Sequence, residues 1–154
     1  LDQFPVEQFI GRALVIHCPE LREGERVPFS AVERVRPLAD QAEFLLFHTG
    51  WGRYWGTERY FGDYPCIDQG IVDYLLQSGK KGVGLDTIGV DPIADAYLSI
   101  HRRLFQDHDL VVMENLANLD QIGDGLFTLF ALPLRYQDAD GSPIRAVAVL
   151  DGEE

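Results

Sequence analysis

The chain has 154 residues, of which 46% are hydrophobic and 25% charged, a composition typical of one folded globular domain spanning 1–154. Its 13 Lys and Arg against 25 Asp and Glu give a formal net charge of -12, which disfavours nucleic acid and anionic membrane surfaces as partners. Two cysteines, Cys18 and Cys66, are too few for a disulfide framework, and no apolar run is long enough to span a bilayer, so we expect a cytoplasmic protein.

The first third of the chain predicts two strands separated by a short helix. Residues 13–18 and 43–49 are apolar runs rich in β-branched or aromatic residues, as in strands buried within a sheet. Between them, Ser30 is placed to cap a helix that runs to about Val35, and Pro37 is expected to end that helix.

The segment 50–65 combines glycines with closely spaced aromatic residues and predicts a long irregular loop. Its aromatic residues are Trp51, Tyr54, Trp55, Tyr60, Phe61 and Tyr64. Such a loop either lines a binding site or is held on the surface by its own aromatic side chains, and the sequence leaves both readings open. So much aromatic surface also suggests that a second copy of the chain covers part of it.

The rest of the chain mixes helices and strands without a strict repeat. The predicted elements are helices over 67–78 and 91–106, and strands over 81–87, 110–113, 127–134 and 144–150. The last two strands are expected to pair as a hairpin through a turn at 138–141. This mixture predicts an α/β or α+β fold with a mixed sheet flanked by helices.

His101 and Glu114 are the strongest candidate functional residues. The predicted helix places His101 on an apolar face, where a histidine is more often a satisfied core residue than a ligand. That face would be formed by Ile93, Tyr97, Ile100, Leu104 and Phe105. Glu114 follows the buried run 110–113, at the edge where open α/β sheets gather ligands, and a carboxylate there needs a donor or a cation. Imidazole and carboxylate together suit zinc, manganese or iron, whereas a salt bridge to Arg145 is the structural alternative.

Four other polar residues are weaker candidates. His17 and His48 lie within or at the end of predicted strands, so a packing or edge role is favoured for both. His108 precedes a strand in a polar stretch and is expected to be solvated. Asp86 follows a strand, where it either touches a site or forms a turn.

Several short motifs, in order along the chain, resemble those of a known enzyme family. The string His101-Arg-Arg-Leu-Phe, continuing to Val-Val-Met-Glu114-Asn-Leu, resembles a metal-binding segment in which a helical histidine precedes a glutamate at a strand end. Further motifs are Phe-Pro-Val-Glu-Gln-Phe-Ile-Gly at 4–11, Gly-Leu-Asp-Thr at 84–87, Val90-Asp91-Pro92, Leu132-Pro-Leu and Gly141-Ser-Pro-Ile-Arg-Ala. Together they resemble the cyclase family of metal-dependent hydrolases, which includes kynurenine formamidases and isatin hydrolases.

The resemblance implies a cyclase-like fold of the swivelling β/β/α type and hydrolysis of a carbon–nitrogen bond in an amide. N-formylkynurenine and cyclic aryl amides are the implied substrates. His101 and Glu114 are implied as ligands of a divalent metal, zinc or manganese, with side-chain atoms about 3 to 5 Å apart. Trp51, Tyr54 and Trp55 are the candidate wall for an aryl substrate. The family also implies a homodimer or homotetramer.

One family motif is missing. The first metal motif of the family, His-x-Gly-Thr-His-x-Asp-x-Pro-x-His, does not occur in the 154 residues, and the chain begins at Leu1 rather than at methionine. We therefore expect that the chain lacks an N-terminal segment, that no catalytic residue is assignable within it, and that it is inactive alone. The alternative is a non-catalytic cyclase-like subunit that binds or scaffolds.

Overall fold

The computed structural model describes residues 1–106 and 109–150, and within these ranges the chain forms eight strands and four α-helices. The strands are β1 (Ile10–His17), β2 (Arg26–Val27), β3 (Phe44–His48), β4 (Cys66–Ile67), β5 (Gly82–Leu85), β6 (Val111–Met113), β7 (Phe127–Phe130) and β8 (Val147–Leu150). The helices are α1 (Ser30–Glu33), α2 (Arg36–Ala39), α3 (Gln69–Gln77) and α4 (Ser99–Phe105). Four single 3-10 turns are Val6–Phe9, Trp51–Tyr54, Glu58–Phe61 and Leu119–Gln121.

Six strands form one mixed sheet in the order β6-β5-β3-β1-β7-β8. The first four are parallel to one another, whereas β7 runs antiparallel to β1 and β8 antiparallel to β7. The short strands β2 and β4 pair separately. The mixed α/β architecture is therefore confirmed, and so is the hairpin, in which Phe127 pairs with Leu150.

The two faces of the sheet are covered differently. Leu14 and Ile16 of β1 face a core that includes residues of α1, α3 and α4, whereas Ala13 and Val15 face the opposite core. That second core is closed by the segment after β6, which contributes Leu116. This alternation is what period-two side-chain geometry requires of a strand covered on both faces.

Two predictions about the first helical region are wrong. Ser30 does not cap a helix but is the first residue of α1, and the amides of Val32 and Glu33 donate to the backbone carbonyl of Phe29. Pro37 does not end a helix but lies in the first turn of α2, where a missing N–H costs nothing. No helix among the described residues is long and apolar enough to cross a bilayer.

The predicted helix 91–106 is also corrected. Its first half forms turns, and α4 begins only at Ser99. The carboxylate of Asp91 reaches forward to the amides of Ile100 and His101, so this residue caps the helix from a distance rather than starting it. Ile100 and Leu104 are buried as predicted, but the other three residues assigned to the apolar face, Ile93, Tyr97 and Phe105, are largely exposed.

Candidate metal and ligand site

Polar side chains gather where the four parallel strands end. His17 and His48 are the last residues of β1 and β3, while Asp86 and Glu114 directly follow β5 and β6. Because these strands are parallel and adjacent, all four residues lie at one edge of the sheet. This is the edge at which open α/β sheets bind their ligands, and it is where the candidate site lies.

The imidazole of His101 is hydrogen-bonded to a buried carboxylate. Asp91 is 1% exposed, and its Oδ2 lies 2.6 Å from Nδ1 of His101 and accepts the backbone amide of the same residue at 3.0 Å. Its Oδ1 accepts the amide of Ile100 at 2.6 Å. Since a carboxylate can only accept, Nδ1 of His101 carries a proton, and the ring orientation is fixed.

Glu114 lies on the other side of the same imidazole. Nε2 of His101 is 3.2 Å from Oε1 of Glu114, which confirms the predicted proximity of the two side chains. The hydrogen bond to Glu114 is the principal cause that raises the pKa of His101 above its ordinary value; burial opposes it and Asp91 adds to it. The expected alternative, a salt bridge from Glu114 to Arg145, is not what the structure shows.

The donor chemistry of this pair fits a divalent cation. A histidine whose Nδ1–H is held by a carboxylate presents the Nε2 lone pair to an ion when the proton is lost, and Glu114 adds an anionic oxygen. Both donors suit zinc or manganese. Within the described ranges, however, no group of three or more His, Cys, Asp or Glu residues is arranged to hold a metal ion. The pair would supply two ligands at most, and a complete coordination shell would need others.

A cavity of about 630 Å³ opens along the same edge of the sheet. Its lining residues are Pro19, His48, Gly50, Gly52, Arg53, Trp55, Tyr60, Asp86, Asn115, Leu116, Ala117, Asn118, Leu119 and Asp120. Asn115 directly follows Glu114 in the chain, so the cavity begins one residue from the candidate metal ligands. Its volume is in the range of small-molecule binding sites.

The three aromatic residues predicted to contact substrate have different positions. Trp55 is 67% exposed and lines the cavity. Trp51 is 1% exposed and packs in a small core, where its indole N–H donates to the carbonyl of Tyr60. Tyr54 packs against Trp51 and lies outside the cavity lining, under the guanidinium of Arg59. The geometry therefore brings one of the three to the cavity.

Asp86 links the aromatic segment 50–65 to the sheet through hydrogen bonds. Its Oδ1 accepts hydrogen bonds from the amide and the hydroxyl of Thr49 at 2.9 and 2.6 Å, and it also lines the cavity. Asp86 therefore lies at the cavity, and its hydrogen bonds with Thr49 connect residues 37 positions apart rather than closing a local turn. Sequence reasoning missed its neighbours Tyr60 and Asn115, which are joined by a 2.7 Å hydrogen bond from the Tyr60 hydroxyl to Asn115 Oδ1. Burial raises the pKa of Tyr60 to about 12, so the phenol remains a donor.

The two strand-end histidines contact each other. His17 and His48 are register partners across β1 and β3, and their Nδ1 atoms are 3.0 Å apart. Nε2 of His17 lies 3.0 Å from the carbonyl of Ile122. His48 also lines the cavity, a position that its sequence context did not indicate. The fourth histidine, His108, lies outside the described residues.

Comparison with known proteins agrees with this description. The chain belongs to the putative cyclase family, whose family model matches residues 1–92, so the resemblance seen in the motifs is confirmed. It is 34% identical over 148 residues to a kynurenine formamidase of Bacillus thuringiensis (strain Al Hakam) and 42% identical over 148 residues to one of Bacillus cereus (strain ZK / E33L). Each match covers 92% of this chain but 64% of the relative, so the chain spans less than two thirds of their length.

Solved structures share the fold. The chain superimposes on an isatin hydrolase bound to the product analogue thioisatinate with a TM-score of 0.86 and 22% identity, over 98% of this chain and 64% of that one. Isatin hydrolase A from Labrenzia aggregata gives a TM-score of 0.84 at 23% identity, over 96% and 63% of the two chains. At these identities the likeness establishes the cyclase fold.

Proposed function

We propose that this chain forms the larger part of a metal-dependent hydrolase that cleaves a carbon–nitrogen bond in an amide, with an aryl formamide such as N-formylkynurenine as substrate. Membership of the cyclase family and the kynurenine formamidases among its relatives support this reaction class. A solved relative described as a potential metal-dependent hydrolase with cyclase activity supports the metal requirement.

The observation that carries the proposal is the arrangement of Asp91, His101 and Glu114. A buried carboxylate orients the imidazole, and the second imidazole nitrogen lies 3.2 Å from an exposed glutamate at the carboxyl edge of the sheet. His101 and Glu114 would hold a divalent ion, zinc or manganese, and Asp91 would keep His101 in the required tautomer. When bound, such an ion activates water near neutral pH and polarises a carbonyl group.

The residues of the cavity would bind the organic part of the substrate. Trp55 offers an exposed aromatic face on which an aryl ring can stack. Tyr60 and Asn115 hold each other through their hydrogen bond, which fixes the wall between the aromatic segment and Glu114. Trp51 and Tyr54 would act indirectly, by supporting the segment that presents Trp55.

A second candidate function is a non-catalytic subunit that binds a small molecule. It is favoured by the cavity of about 630 Å³, which residues such as Trp55 and Tyr60 line and which needs no metal ion to hold an aromatic ligand. A cavity without a complete metal site would still bind an aromatic ligand.

Metal content and hydrolysis distinguish the two functions. The 154 residues should be purified alone and also together with any coding sequence that precedes Leu1 in the gene, each with and without Glu114→Gln. The hydrolase predicts stoichiometric zinc or manganese and cleavage of N-formylkynurenine by the extended protein, both lost in the variant, and neither property in the 154 residues alone. Rapid turnover by the 154 residues alone would show that the catalytic groups are misplaced, and a metal-free, inactive extended protein would favour the binding subunit.

Assembly as a homodimer or homotetramer belongs to the same proposal. Trp55 and Phe61 expose 67% and 58% of their surface, which is more aromatic surface than a soluble monomer usually leaves uncovered. A symmetric dimer would bury the segment 50–65 of each subunit beside the cavity of the other. Light scattering tests this, since an active monomer at micromolar concentration would exclude a shared site.

A further inference from the structure

The pairing of His17 and His48 determines where their protons are. Nε2 of His17 lies 3.0 Å from the carbonyl oxygen of Ile122, and a carbonyl can only accept, so Nε2 of His17 carries a proton. A neutral imidazole has one donor and one acceptor nitrogen, so Nδ1 of His17 is then a bare lone pair. The only hydrogen bond that this lone pair can make with Nδ1 of His48, 3.0 Å away, is one that His48 donates.

The same argument leaves the second ring nitrogen of His48 without a proton. When both rings are neutral, His48 has its proton on Nδ1, and its Nε2 is unprotonated. His48 lines the cavity and His17 does not. Among the described residues Nε2 of His48 has no hydrogen-bond partner, whereas Nε2 of His101 faces the carboxylate of Glu114.

We propose that His48 is a specificity residue whose bare Nε2 accepts a hydrogen bond from the N–H of an aromatic ligand in the cavity. His17 is a positioning residue, because its bond to Ile122 forces the uncommon Nδ1–H tautomer on His48. The exposed ring of Trp55 supplies the stacking surface for the same ligand. This inference deepens the proposed function, since an aryl amide carries such an N–H, but it concerns binding and requires no turnover.

Histidine tautomers are measured directly by long-range ¹H–¹⁵N correlation in mildly alkaline buffer. With four histidines in the chain, single substitutions assign each ring. We expect Nδ1–H at His48 and Nε2–H at His17 in the wild-type protein. His17→Phe removes the acceptor and should shift His48 towards the Nε2–H form. Asp124→Asn is the matched control: Asp124 is 97% exposed and 4.0 Å from His17, and its loss leaves the Ile122 carbonyl in place.

The preference for ligands with an N–H tests the proposed hydrogen bond to Nε2 of His48. Indole and benzofuran are bicyclic rings of similar size, but only indole has an N–H, and neither contains an amide to hydrolyse. Titration of the ¹⁵N-labelled chain should show indole binding about fivefold more tightly, the worth of one neutral hydrogen bond. His48→Phe should abolish this preference while both ligands still bind, and His17→Phe should reduce it.

The outcomes separate this inference from the hydrolase proposal. An Nε2–H tautomer at His48 in the wild type, equal affinity for the two rings, or no binding of indole would overturn the role given to His48. The wild-type spectrum decides the tautomer even if His17→Phe fails to fold. If the tautomer and the indole preference are found but no amide is hydrolysed, the binding role stands and the hydrolase proposal fails.

Discussion

Replacing Asp91 by Asn tests the carboxylate that both caps α4 and orients His101. Asparagine has the same shape, and its remaining oxygen can still accept the amide of Ile100. Its NH₂ group would instead face two N–H donors, the backbone amide and Nδ1 of His101. The ring can relieve one conflict by moving its proton to Nε2, but the buried amide of His101 loses its acceptor. Because Asp91 is 1% exposed, we expect a loss of about 2 to 3 kcal/mol in the free energy of unfolding.

The same substitution should weaken metal binding. With its proton on Nε2, His101 cannot offer a lone pair beside Glu114, so we expect the affinity for Mn²⁺ to fall about 10- to 100-fold. Urea unfolding followed by circular dichroism measures the first effect, and Mn²⁺ titration of the protein extended before Leu1, followed by EPR, measures the second. Asp95→Asn is the control, because Asp95 accepts the amides of Tyr97 and Ser99 in the same segment but from an exposed position. Wild-type stability and Mn²⁺ affinity in Asp91→Asn would refute the reasoning.

Three further substitutions have defined outcomes. Glu114→Gln should return the pKa of His101 towards its ordinary value, because Glu114 is the main group that raises it; an NMR titration showing no decrease contradicts this. Gly82→Ala should cost about 2 kcal/mol or more in urea unfolding, because a Cβ would lie 2.6 Å from the carbonyl of Val111. The pKa of the Glu43 carboxyl is lowered. Burial alone would raise this pKa, but the ammonium of Lys81 and the backbone amide of Arg12 stabilise the carboxylate and outweigh burial. The small stability deficit of Glu43→Gln should therefore be present at neutral pH and vanish as acid protonates the wild-type carboxylate.

The strands could be predicted because their signal is local. The apolar runs 43–49 and 110–113 are short and typical of strands covered on both faces, and β3 and β6 lie within them. The hairpin of β7 and β8 followed from two such runs joined by a turn. The helix predicted from Asp91 failed because its cap is tertiary: the carboxylate serves amides nine and ten residues further on.

The candidate site was predictable to the extent that its residues lie near one another in sequence. His101 and Glu114 are separated by 13 positions, and their helix and strand converge on one edge. The contact between His17 and His48 spans 31 positions and depends on the register of two strands, which no local pattern specifies. Composition likewise shows that the segment 50–65 is aromatic, but burial alone reveals that Trp51 supports the segment while Trp55 faces the cavity.

The spacing of the strands also fixes the distance between the backbones of two residues at this edge of the sheet. Glu114 follows β6 and His48 ends β3, with β5 between them, so their backbones are two strand spacings apart, about 10 Å. The two side chains extend into this space, so a ligand that contacts both residues has to span only the distance that the side chains leave between them. In an aryl formamide the amide is attached directly to the ring, so such a ligand contacts both residues only if the two side chains close most of this distance. The spacing of the strands, which no side-chain substitution alters, would then determine the length of the ligands that can contact both residues.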